Sequence, residues 1–237
     1  MLQQTQVARV VPAYNAFLGR FPTLAALSRA PLGDVLRAWS GLGYNRRARD
    51  LHRIAREHPR GLPGDAAALD ALPGIGAYTA GAVVCFATGA RVAFADTNIR
   101  RVLGRIALGR VATEREAVAI DAELMPRDAA AWHHALMDLG ASLCRSRAPA
   151  CEACPVAPAC RARGRVAGTV PRRQAAFATS TRRLRGIALR ALVAAPSGLT
   201  RRGLAATLAD PRADQIIGAL ERDGLVQRDR GRFVLPR

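Results

Sequence analysis

The chain has 237 residues, of which 50% are hydrophobic and only 5% aromatic, and it carries a formal net charge of +18. This length admits one large or two modest domains with a real core, and the composition excludes both a disordered polyelectrolyte and a membrane protein. All 36 basic residues are arginine, set against 18 acidic ones, and such a cation excess points to an acidic partner, nucleic acid before others.

In chain order, the opening MLQQTQVARVV has neither a charged n-region nor an apolar h-region, so the expected location is the cytoplasm. From Gln6 to about Ala141 the apolar residues recur at helical spacing, as in Val7, Val10, Val11, Tyr14, Phe17 and Leu18. The breaks fall at Pro22, Pro31, 58–64, 73–76 and Pro126, so the reading is a series of short helices. Four of the five cysteines crowd into 144–160, and in a reducing compartment such crowding means a metal or a cluster. Residues 161–185 carry eight arginines and no acid and read as a basic linker. Beyond it, helices are expected over 187–195, 200–208 and from Asp210-Pro211 to Gly224, then strands 225–228 and 232–235 around Asp229-Arg230-Gly231. Three helices and a β-hairpin suggest a winged helix, as a DNA reader or, on its mixed charges, as a packing or docking module.

Three constellations carry chemistry. Cys144, Cys151, Cys154 and Cys160 can wrap one tetrahedral centre, either zinc or a [4Fe-4S] cluster. Cys85 lies on an apolar helix and reads as core packing. The turn Leu72-Pro73-Gly74-Ile75-Gly76-Ala77-Tyr78 allows a tight hairpin whose N–H groups hold a phosphate, though an ordinary helix–helix turn also uses Pro and Gly. In Ala95-Asp96-Thr97-Asn98, Asp96 is a plain helix N-cap or a carboxylate placed to stabilise a cationic sugar, and the two roles can coexist.

Together these stretches resemble the endonuclease III superfamily of helix-hairpin-helix DNA glycosylases, nearest the MutY-type adenine glycosylases, over residues 1 to about 165. The carriers are MLQQTQV at 1–7, GLGYNRRARDLH at 41–52, LPGIGAYTAGAV at 72–83, ADTNIRRVLGR at 95–105, ALMDLGASLC at 135–144 and the cysteine loop. The resemblance implies an all-α glycosylase fold and a [4Fe-4S] cluster on the four cysteines. It makes Asp96 the catalytic aspartate, with Tyr78 and Asn98 at the reacting nucleotide. It sets Gly74 and Gly76 on a backbone phosphate, and Leu2, Gln4 and Tyr44 in the gap left by a flipped base.

Two departures stand out. The family's leaving-base acid sits two residues before the methionine of MLQQT, which here is Met1, so the expectation is a start called too late, with a catalytically silent DNA-binding relative as the alternative. Full-length adenine glycosylases end in a domain resembling nucleotide-sanitising hydrolases, where this chain has the short winged-helix-like segment. The expected organisation is a glycosylase domain at 1–143, a cluster loop at 144–160, the linker at 161–185 and the winged segment at 186–237. The expected protein is a monofunctional base-excision glycosylase that acts as a monomer, without a membrane, on duplex DNA with a mismatched or damaged base. Its substrate is adenine opposite guanine or 8-oxoguanine, with mismatched thymine or an oxidised pyrimidine as the alternative.

Overall fold

The computed structural model describes residues 1–2, 5–164 and 177–237. Two compact units divide the chain: residues 1–62 with 174–237, and residues 63–173. These cuts differ from the expected boundaries at 143, 160 and 185, because the C-terminal segment packs into one core with the N-terminal helices.

The first unit opens with α1 (Val7–Arg20), α2 (Leu24–Arg29), α3 (Leu32–Ala38) and α4 (Arg46–Glu57). Helix α2 begins where the Thr23 side chain accepts from Ala26 N–H, which satisfies one of the N–H groups that a helix start leaves unpaired. The second unit holds α5 (Ala66–Asp70), α6 (Ala77–Thr88), α7 (Thr97–Leu108), α8 (Glu114–Leu124) and α9 (Ala129–Ser142). Helix α8 starts in a reciprocal capping box between Thr113 and Glu116, and the Arg110 guanidinium, together with the Thr113 hydrogen bonds, holds the Glu116 carboxyl down at about 2. Among the described residues no helix is long and apolar enough to cross a membrane.

The C-terminal segment rejoins the first unit as α10 (Thr181–Ala194), α11 (Arg201–Leu208), α12 (Ala213–Arg222) and the antiparallel strands β1 (Gln227–Asp229) and β2 (Arg232–Val234). Val10, Phe17, Val35 and Trp39 share a core with Leu184, Leu192, Ile217 and Phe233, and Gly33 N–H donates to Pro236 O at 2.6 Å. Helix α10 starts at Thr181, six residues before the expected 187, because Ser180 accepts from Arg183 N–H, and Arg182, Arg183 and Arg185 of the expected linker belong to this helix. Residues 165–176 of that expected linker lie outside the described residues. Helix α12 starts at Ala213 rather than at Asp210, whose carboxylate instead accepts from Arg212 N–H at 2.9 Å in a turn. The hairpin turn is two residues, Arg230 and Gly231, both with positive φ, so Asp229 belongs to the strand and not to the turn.

Candidate active site and thiol cavity

In the second unit, helices α5 and α6 meet in the turn 71–76. Leu69 and Leu72 are buried on one side, and Ala80, Val84 and Cys85 on the other, so apolar burial holds the two helices together. Gly74 takes φ +75°, a backbone state that a Cβ disfavours, and Ile75 N–H closes the turn onto Leu72 O at 3.2 Å. Gly76 then caps α6 with no side-chain hydrogen bond, and a Cβ built there meets nothing within 4 Å. The positive end of α6 therefore faces open space, where an anion can reach its N–H groups.

Helix α7 begins differently. Asp96 Oδ1 accepts from Asn98 N–H and Ile99 N–H, each at 2.8 Å, while Oδ2 has no partner among the described residues. The capping role is thus present, and it occupies only one of the two oxygens. Tyr78, on the first turn of α6, donates to Met137 Sδ at 3.9 Å and packs edge-on against Phe94 at 5.6 Å. Burial pushes the Tyr78 phenol above its ordinary pKa, and the Asp96 charge pushes it the same way, so the phenol is a neutral donor. Asn98 is held through its Oδ1, which accepts from Arg101 Nη2 at 2.8 Å, and by Gly140 of α9, where an added Cβ would lie 2.7 Å from Asn98 Cβ. Tyr78, Asp96 and Asn98 are thereby gathered around the starts of α6 and α7.

A buried network missed by the sequence reading supports this arrangement. Asp121 is fully buried in α8; its Oδ2 accepts from His133 Nε2 at 2.8 Å and from Phe94 N–H at 3.1 Å, and its Oδ1 from Trp132 Nε1 at 2.7 Å. The ring of His133 stacks on Phe94 at 3.9 Å. The segment leading into Asp96 is therefore pinned two residues ahead of the carboxylate, with every oxygen of the buried acid satisfied. The signal was present in the sequence, since Ala129, His133, Leu136 and Gly140 form the buried stripe of α9 at helical spacing. Cys85 is core packing as expected: it is fully buried, its Sγ lies 3.6 Å from His133 Nδ1, and burial raises its thiol.

The four clustered cysteines are all free thiols and line one cavity, walled by Val102, Ile106, Leu139 and Val156. Short 3-10 turns at Cys151–Ala153 and Ala157–Ala159 carry the loop around it. Two arginines of α7, also missed in the sequence, tie the loop to the Asp96 helix. Arg105, 4% exposed, donates to Arg145 O at 2.8 Å and reaches Cys144 Sγ at 3.4 Å, and Arg101 Nε donates to Cys144 O at 2.7 Å. Among the described residues, no three His, Cys, Asp or Glu side chains are gathered closely enough to hold a single metal ion.

The remaining expected site residues belong to the first unit. Leu2 is 60% exposed, and Gln4 lies outside the described residues. Tyr44 has φ +48° in the turn before α4, accepts from Arg182 Nη1 at 2.6 Å, and has the Arg47 guanidinium 4.6 Å from its ring centroid.

Residues 1–127 match the HhH-GPD superfamily of base excision DNA repair proteins. The adenine DNA glycosylase of Mycolicibacterium smegmatis is 44% identical over 248 residues, covering 99% of this chain and 84% of that protein. Among solved structures, a thermostable thymine-DNA glycosylase superposes with a TM-score of 0.59 at 26% identity, covering 69% of this chain and 80% of the other. A non-covalent endonuclease III–DNA complex shares the fold with a TM-score of 0.60 at 24% identity, covering 68% and 78% of the two chains.

Proposed function

Since the chain belongs to the HhH-GPD superfamily of base excision DNA repair proteins and is a DNA N-glycosylase, we propose that it hydrolyses the N-glycosidic bond of adenine mispaired with guanine or 8-oxoguanine. The adenine assignment follows the M. smegmatis relative. The observation that carries the mechanism is the divided Asp96 carboxylate, with Oδ1 committed to the α7 cap and Oδ2 uncommitted, its charge felt by the Tyr78 phenol.

Breaking the bond leaves positive charge on the sugar, so a fixed carboxylate oxygen stabilises that oxocarbenium-like state or traps it covalently. Asp96 supplies this charge without reorganising, because its other oxygen is already locked to two N–H groups. The open start of α6 takes a backbone phosphate on N–H groups near Gly76, which fixes the register of the strand while the adenine is turned out of the stack. Tyr78, kept protonated, would turn its O–H from Met137 Sδ to donate to the nucleotide, and Asn98 presents its amide from the first turn of α7.

The four cysteine thiols fit a [4Fe-4S] cluster: they line one largely apolar cavity, with the Arg105 guanidinium beside Cys144 Sγ to balance thiolate charge. When bound, the cluster cross-links the loop and so supports DNA binding. Residues 181–237, three helices and a hairpin, are read as a winged-helix-like module fused to the first unit.

The reaction stops at an abasic site. Strand cleavage of the imine type needs an amine nucleophile, and the chain contains no lysine. Tyr78 stands where the resemblance places that amine, and arginine stays protonated. With an A:8-oxoguanine duplex, adenine release is expected, with nicks appearing only after alkali. Efficient nicking without alkali, together with a borohydride-trapped adduct, would overturn the monofunctional reading.

A further inference from the structure

In the first unit, the turn 40–45, the start of α4 and helix α10 enclose a groove of about 910 Å³ whose described lining includes seven arginines and no aspartate or glutamate. Four of these, Arg182, Arg183, Arg185 and Arg190, come from α10, in the C-terminal segment. The carboxylates that reach the set from outside the lining do not balance it. Asp223 pairs with Arg46 at 3.1 Å and also with Arg185, and Asp210 feels Arg183 but hydrogen-bonds Arg212. Arg183 and Arg190 are exposed and make no ion pair among the described residues. At the mouth, a Cβ built on Gly41 or Gly43 meets nothing within 4 Å, so bare backbone leaves room for a polymer to approach closely.

We infer that this groove is a second phosphate-binding track, in which α10 of the C-terminal segment grips the backbone of duplex DNA alongside the turn that carries Tyr44. The inference rests on DNA being the partner and not on which base is removed. From Arg182 to Arg190 the helix advances about 12 Å at 1.5 Å per residue, and one strand of B-form duplex presents three to four phosphates over that distance, at about 3.4 Å each. Guanidinium forks match phosphate oxygens in pairs. Arg182 adds a direct link, because its bond to the Tyr44 hydroxyl fixes a tyrosine that sits in the left-handed backbone region. The C-terminal segment thereby positions the turn as well as extending the cationic face.

The test is the salt dependence of binding to an undamaged duplex, measured by anisotropy between 50 and 300 mM NaCl, for the full chain and for Arg183→Gln/Arg190→Gln. The comparison variant is Arg115→Gln/Arg127→Gln, which removes the same charge from exposed positions of the second unit. Losing two phosphate contacts makes the slope of log K against log salt shallower by about 1.8, and the groove variant is expected to show this at an unchanged melting temperature while the comparison variant keeps the wild-type slope. An unchanged slope in the groove variant overturns the inference. So does binding of a poly-glutamate peptide that the groove variant loses while its duplex binding stays intact, which would make the occupant an acidic protein segment. No base release is read, so a wild-type chain that fails to bind duplex at all refutes the DNA reading itself, whereas binding with an unaltered slope refutes only the groove.

Discussion

Helices α6 and α7 begin within about twenty residues of each other in the second unit and are finished in opposite ways. The start of α7 supplies its own anion: Asp96 takes two N–H groups on one oxygen and is anchored from behind by the Asp121–His133 pair acting on Phe94. The start of α6 supplies none, since Gly76 has no side chain and faces open space. A helix start filled by the chain holds a charge in one place, whereas one left open receives a charge from outside. The same local physics thus produces a carboxylate fixed in place at one helix start and an open positive end at the other, the two features that the proposed function uses for chemistry and for phosphate.

Breaking the anchor gives the largest effect on stability. His133→Ala removes a hydrogen-bond partner of the fully buried Asp121, and one-sided loss of a buried pair costs about 3–5 kcal/mol. For a chain of this size that lowers the melting temperature by at least about 6 °C. His134→Ala, on the exposed side of α9 against Phe86, should move it by less than about 2 °C. Equal shifts in the two variants would show that the network does not anchor the segment before Asp96.

The turn gives a smaller effect. Gly74→Ala forces a Cβ into a left-handed conformation, which costs about 1–2 kcal/mol, visible as a lower denaturation midpoint at unchanged slope. Gly76→Asp probes the comparison with the smallest change. The φ of Gly76, −120°, suits any residue and its Cβ has room, so the new carboxylate should cap α6 and raise stability by a few tenths of a kcal/mol. Duplex affinity should fall at the same time, with a salt slope shallower by about 0.9, because the built-in anion displaces one phosphate. A more stable protein with unaltered affinity would mean that the open end of α6 is not a phosphate seat.

What could be read from sequence was what is encoded locally. The glycine turn, the Asp-Thr-Asn start of α7 and the cysteine spacing each lie within one short stretch, where residue type and position already dictate the backbone. The Asp121–His133 pair joins two helices, so only the periodicity of α9, with His133 on the buried stripe, hinted at it. The joining of the N-terminal helices to the C-terminal segment was hidden for the same reason, since Trp39 and Phe233 share a core only after folding. Charge misled at α10, where arginines read as a linker lie on one turn of a helix whose other face buries Leu184 and Ala188.

The most direct test of the divided carboxylate is Asp96→Asn in a single-turnover assay of adenine release, paired with a melting curve. Asparagine caps a helix about as well as aspartate, so the melting temperature should stay within about 2 °C and duplex binding should persist. Base release should fall by about a thousandfold or more, since a preorganised charge opposite the developing cation is lost. A variant that melts far lower while its folded fraction still releases adenine would contradict the account and reduce Asp96 to a helix cap.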